Sequence, residues 1–108
     1  MSKVQVQITK SAKQDLKGIA RWVMLHDSPS KAAELLRQLE EACNSLTSLP
    51  LRGHKLPEQE IIAYSDCLEI HQGPYRIIYH CKEKVVYIDA ILDGRRDIQA
   101  VLSSRTLG

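Results

Sequence analysis

Val4 to Thr9 alternates strictly: Val4, Val6 and Ile8 take one side, Gln5, Gln7 and Thr9 the other. That period of two predicts a strand with one wet face. The period then changes. Ala12, Leu16, Ile19, Ala20 and Val23 recur at three and four, the stripe of an amphipathic helix. Ser11, with Gln14 three residues on, has the pattern of a capping box and predicts the start of that helix, and His26-Asp27 its end. Ser28-Pro29 predicts a second start, serine as cap and proline as first helical residue. Ala32, Leu35, Leu39, Ala42, Leu46 and Leu49 carry the second stripe as far as Pro50. So short a link predicts an antiparallel helical hairpin.

Residues 51–61 read as loop, with two Pro-flanked turns and the basic cluster Arg52, His54, Lys55. Alternation resumes around Tyr64 and runs through Leu68 and Ile70 to a turn at Gly73-Pro74. Tyr75 to Cys81 reads as the next strand, Lys82-Glu83 as a tight turn, and Lys84 to Leu92 as the last strand. Val86, Ile88, Ala90 and Leu92 give that strand a wholly apolar face, which predicts a central position. Asp97 to Ser104 reads as a short helix with Ile98, Val101 and Leu102 inward. The order β-α-α-β-β-β-α predicts an α+β fold. The helical hairpin packs on one face of a mostly antiparallel four-stranded sheet, and the other face stays at least partly open.

With 108 residues the chain is one domain, residues 1–108, and no repeat or linker divides it. Phe is absent and there is one Trp, so Leu, Ile and Val build the core. A net charge of +2 points to nucleic acid only if the charge clusters. Cys43, Cys67 and Cys81 are odd in number and not at ligand spacing, the pattern of reduced thiols in a cytoplasmic protein. Cys43 falls on the second helical stripe and reads as a core residue. No apolar leader or membrane-length run appears, so no membrane partner is expected.

Classical catalytic sites are hard to find. His26, His54, His71 and His80 are scattered, and none stands at metal-ligand spacing with another donor. No phosphate loop or serine elbow is present, so neither cofactor nor metal is expected. Arginines remain. The tight hairpin returns the end of the last strand to the start of its neighbour, which puts Arg76, Arg95 and Arg96 at one end of the sheet. Three guanidinium forks there would hold phosphate or carboxylate. The alternative is structural pairing: Arg76 with Glu69, and Arg96 with Asp93 or Asp97.

Four motifs, in this order, cover nearly the whole chain: Thr9-x-Ser11-Ala12-x-x-Asp15-Leu16, Ser28-Pro29-x-x-Ala32, Gly73-x-Tyr75-Arg76-Ile77-Ile78-Tyr79 and Asp93-Gly94-Arg95-Arg96-Asp97. Together they resemble the RelE/ParE toxin superfamily of type II toxin–antitoxin modules, and the last of them looks more like the ParE branch. The resemblance implies a toxin neutralised by a cognate antitoxin. ParE-like members inhibit DNA gyrase by trapping its DNA cleavage complex. RelE-like members cleave mRNA on the ribosome by metal-free acid–base chemistry. For a ribonuclease the resemblance would assign Arg76 and Arg96 to phosphate, with His80 or Lys55 as base. The tyrosine and the late histidine expected after the last strand are missing, with Val101-Leu102 in their region. The lysine pair expected ahead of the sheet is at best replaced by Arg52 and Lys55, and Leu68 stands where many members carry arginine. The first expectation is therefore a ParE-like gyrase inhibitor without a catalytic site of its own. The alternatives are the ribonuclease and a non-toxic module member that binds antitoxin. Partner contact is assigned to Arg76, Arg95, Arg96, Trp22, Leu16 and Ile19. For Trp22 half-buried packing is the competing expectation.

Overall fold

The computed structural model describes residues 4–58 and 61–107. Strand β1 (Gln5–Ile8) leads into helices α1 (Lys10–His26) and α2 (Pro29–Asn44). Four more strands follow, β2 (His54–Lys55), β3 (Leu68–Gln72), β4 (Tyr75–Lys82) and β5 (Val85–Asp93), and then helix α3 (Ile98–Leu107). The sheet order is β1-β5-β4-β3-β2, with only β1 and β5 parallel. The expected α+β architecture is present, and β5 lies inside the sheet between β1 and β4, with β4 in the middle position. The sheet has five strands where four were expected. His54 and Lys55, read as loop, pair with Glu69 and Leu68 as a two-residue edge strand whose side chains are exposed. Two residues carry no alternation, so no sequence pattern marks them.

Helix α1 starts before Ser11. Thr9 is its cap: the Thr9 hydroxyl accepts from the Ala12 amide at 3.3 Å and donates to the Ile88 carbonyl at 2.7 Å. Thr9 thus satisfies a helix end and fastens it to β5. Ser28 caps α2 as expected, its hydroxyl accepting from the Lys31 amide, with Pro29 in the first turn. Helix α2 ends at Asn44, short of Pro50. Ser45–Thr47 tighten into a one-turn 3-10 helix that still carries Leu46 into the core. Ile62–Tyr64, read as the approach to a strand, form another such turn. The β4–β5 turn is Glu83-Lys84, one residue later than expected. Both residues have positive φ, the twist a two-residue hairpin requires.

The helical hairpin covers one sheet face. Ala12, Leu16, Leu39, Cys43 and Leu46 meet Ile70, Tyr75, Ile77, Tyr79, Val86, Ile88 and Ile91 there. The second face is not open. Helix α3 and the segment before β3 cover it with Leu56, Cys67, Ile98 and Leu102 over Ile78, Ala90 and Leu92. The apolar face expected of β5 is split between these layers. Ile78 pairs with Ala90 and Tyr79 with Ile88, which leaves Asp89 as a bulge. A bulge inserts one residue and inverts the parity beyond it. Val86 and Ile88 therefore face the helical hairpin, while Ala90 and Leu92 face α3.

The β2 edge depends on Gly53. A Cβ built there would lie 2.6 Å from the Tyr79 hydroxyl and 2.7 Å from the Glu69 carbonyl oxygen. The Gly53 amide donates to that hydroxyl at 3.0 Å. Gly53→Ala is expected to cost about 1–3 kcal/mol through this overlap. A urea unfolding midpoint equal to that of the unchanged protein would contradict the close approach.

Candidate functional site

Arg76 sits on β4 and faces the α3 side of the sheet. Its guanidinium is enclosed by two carboxylates. Arg76 Nε and one terminal nitrogen donate to Glu69 at 2.9 and 2.6 Å, while both terminal nitrogens donate to Glu58 at 3.1 and 2.7 Å. The Arg76 side chain is 12% exposed and that of Glu69 only 1%. His71 Nε2 completes the cluster against Glu69 at 2.5 Å. The expected Arg76–Glu69 pair is therefore present. Glu58, from the segment before β3, was not foreseen as its second partner. The paired carboxylates raise the arginine further above its ordinary value, and the hydrogen bond from Arg76 pulls the Glu58 carboxyl below its own.

That direction sets an acid limit. A carboxyl with a lowered folded pKa stabilises the fold above its unfolded value, about 4.3 for Glu. The contribution is lost as pH falls through the folded value. Asp93, held low chiefly by its hydrogen bonds from Arg95, has the same sign. Unfolding midpoints are expected to hold from pH 7 to about 5 and to fall below about 4.5. Glu58→Gln should flatten that fall, and an undiminished acid slope in this variant would count against the assignment.

Arg95 and Arg96 do not join Arg76. All three are near one end of the sheet, where Arg76 methylenes approach Gly94, but the guanidinium of Arg76 serves the α3 side. Arg95 and Arg96 instead line a groove of about 690 Å³ between α1 and the end of β5. The expected three-arginine anion site is thus divided by the sheet. Arg95 clasps Asp93, with Nε at 2.9 Å and a terminal nitrogen at 2.6 Å, so Asp93 is taken by Arg95 and not, as expected, by Arg96. Ile19, Trp22, Tyr75 and Ile91 form the apolar part of the groove.

Trp22 is 59% exposed and stacks on His26 with ring centroids 4.2 Å apart, so the packing role expected for it is not realised. Ile19 is half-buried at the groove wall. Leu16, expected at the partner surface, is buried in the core against β5 and is not available to a partner. The reason is its place on the stripe, one turn nearer the sheet than Ile19. At the floor of the groove Asp15 accepts the Ile91 amide at 3.0 Å and holds the Arg105 guanidinium of α3. Strand β1 stops at Ile8, opposite Ile88, so this clasp covers the stretch of β5 that β1 leaves unpaired.

His80 lies on the α3 side, as its shared parity with Arg76 predicts, but its partner is Asp89. The Nδ1···Oδ2 distance is 2.6 Å, and Tyr87 stacks on the imidazole. Cys67 approaches the same Asp89 oxygen at 3.6 Å. Burial, then Asp89, pushes the Cys67 thiol up to about 12. Sequence spacing gave no sign of this group, because Cys67 reaches it from the segment before β3, outside the β4–β5 hairpin. Lys55 is exposed on β2, and Arg52 donates to the Ser45 hydroxyl at 2.8 Å. Among the described residues the three cysteines are free thiols, Cys43 and Cys67 buried and Cys81 exposed. No described helix is long and apolar enough to cross a membrane.

The described sheet is clasped by a helical hairpin and a C-terminal helix, and Arg76 does not assemble with Arg95 and Arg96. The family model for the ParE toxin of the type II toxin–antitoxin system parDE matches residues 6–98, and the chain belongs to that family. No curated protein matches it significantly. Among solved structures it resembles a chromosomal ParDE system from P. aeruginosa at TM-score 0.70 and 19% identity, covering 82% of this chain and 94% of that one. The toxin–antitoxin complex RelBE2 from Mycobacterium tuberculosis aligns at TM-score 0.60 and 20% identity, over 82% and 95%. An arginine-substituted E. coli toxin RelE in its free state aligns at TM-score 0.58 and 12% identity, over 98% and 99%. At these identities the likeness is one of fold.

Proposed function

We propose that the chain is the toxin of a type II toxin–antitoxin module that inhibits DNA gyrase by trapping its cleaved DNA complex, without a catalytic site of its own. The observation that carries this reading is the state of Arg76. The residue that a ribonuclease would aim at phosphate is held by Glu58 and Glu69. Two carboxylates neutralise it and repel a phosphate from the same place. Antitoxin-free protein added to gyrase is expected to block supercoiling and accumulate cleaved DNA, leaving cell-free translation intact. Stopped translation with untouched gyrase would overturn the reading in favour of a ribosome-dependent ribonuclease.

We further propose that the cognate antitoxin occupies the groove between α1 and β5. Trp22 and Arg96 suit that role: one is a large exposed aromatic, the other a planar cation, and both rank high among residues that anchor interfaces. Trp22→Ala combined with Arg96→Glu is expected to weaken capture of the antitoxin encoded beside it by at least about 2 kcal/mol, roughly thirtyfold. Titration calorimetry with the purified antitoxin measures it. Unchanged affinity would place the antitoxin elsewhere.

A further inference from the structure

Cys67, His80 and Asp89 come from three elements: the segment before β3, β4, and the bulge of β5. Their donor atoms lie within 4.8 Å of one another. Beside them a pocket of about 410 Å³ opens to solvent between Tyr64, His80, Asp89 and Arg105. We propose that these three side chains bind a divalent zinc ion, with a fourth position open to water from that pocket. The inference is independent of whether gyrase or the ribosome is the target.

The donor set is the first reason. Thiolate, imidazole and carboxylate together are borderline-soft N, S and O ligands, the mixture zinc accepts in tetrahedral sites. The geometry is the second. Zinc–ligand lengths of about 2.3 Å to sulfur and 2.0–2.2 Å to nitrogen and oxygen put the S···O edge of a tetrahedron at about 3.6 Å and its N···O edge at about 3.4 Å. Cys67 Sγ and Asp89 Oδ2 stand 3.6 Å apart. His80 Nδ1 and Asp89 Oδ2 stand at hydrogen-bond distance, 2.6 Å, so the imidazole withdraws by roughly 0.8 Å on binding. Coordination through Nδ1 moves the neutral ring's proton to Nε2, and the Cys67 thiol releases its own proton to solvent. Asp89 enters as carboxylate.

The surroundings are the third. Arg105, the nearest cation, is committed to Asp15, and it donates to Asp89 only through the backbone carbonyl, at 3.5 Å. The Asp89 carboxylate meets His80 and the thiol. A second group, His54, Glu69 and His71, also has close donor atoms, but Glu69 already serves Arg76. It supplies the control.

The test titrates cobalt(II), as a spectroscopic substitute, and zinc into metal-free protein under reducing, anaerobic conditions. One equivalent of cobalt is expected to raise a thiolate-to-metal charge-transfer band, which zinc then abolishes. Losing an outer-shell group already costs 10–100-fold in metal affinity, so Cys67→Ser and Asp89→Asn, each losing a ligand, should weaken zinc binding by at least about 100-fold. His71→Ala should leave both band and affinity unchanged. Circular dichroism on each variant establishes that it is folded. Absence of the band in the unsubstituted protein overturns the proposal without reference to any variant. So does zinc binding that survives Cys67→Ser or disappears with His71→Ala.

Discussion

Arg76→Ala is expected to destabilise the domain by about 3–5 kcal/mol, because it removes the guanidinium that pairs both Glu58 and Glu69. Glu69 is the sharper case. Its side chain is 1% exposed, and His71 alone is left to face it. The loss should appear as a lowered urea midpoint at pH 7 and shrink in acid, as Glu58, held low by Arg76, takes up its proton. An unchanged midpoint would mean that the ion cluster adds nothing to stability. A loss of toxicity in this variant is therefore not by itself the loss of a phosphate ligand. The two are separated by Arg76→Met combined with Glu58→Leu and Glu69→Leu, which removes the three charges of this ion cluster at once. Buried ion pairs replaced whole by apolar side chains are often neutral in stability. A gyrase inhibitor that does not use Arg76 for chemistry should keep its activity in that triple variant; a ribonuclease that needs Arg76 should not.

Leu102→Ala is expected to cost about 2–5 kcal/mol. Leu102 is 0% exposed and Ile98 4%, and these two side chains do most to seat α3 on the sheet. A helix of ten residues has too little intrinsic stability to persist without such contacts. Truncating one of them should therefore release the helix as well as open a cavity over Ile78 and Ala90. Amide exchange is the direct readout. Protection across residues 98–107 should collapse while the β4–β5 ladder stays protected. Retained protection throughout α3 would show that its hold lies elsewhere, in the Arg105–Asp15 clasp.

The strands and helices were legible wherever one period ran for two turns or four alternating positions. β1, α1, α2, β4 and α3 all meet that condition. The misses share a cause: the deciding contact lies far away in sequence. Thr9 displaces Ser11 as cap because its hydroxyl also reaches Ile88, 79 positions on. β2 exists because Glu69 and Leu68 are there to pair with it. The bulge at Asp89 is fixed by register against β4, which no pattern within β5 records. The candidate site was legible in the same measure. Arg76 and Glu69 sit on neighbouring strands of a predictable hairpin, and their pairing was foreseeable. Glu58 in a loop was not, nor was the convergence of Cys67, His80 and Asp89. Trp22 stands beside the core stripe of α1 but stays 59% exposed at the groove, with His26 stacked on it.

The parallel pairing of β1 with β5 also sets the order in which the protein can be assembled during synthesis. Gln5 pairs with Val85, across 80 intervening steps of chain, whereas β3, β4 and β5 pair with their immediate neighbours. Closing so long a loop is slow, and the local meander has a head start once its residues exist. Until Ile88 has left the ribosome, the edge strand lacks its partner and the Thr9 hydroxyl has the Ala12 amide but not the Ile88 carbonyl. A nascent chain that stops short of Ile88 thus has its helical hairpin without a completed sheet. The surface that the completed sheet presents therefore arises only after both ends of this long loop exist, later than either helix of the hairpin.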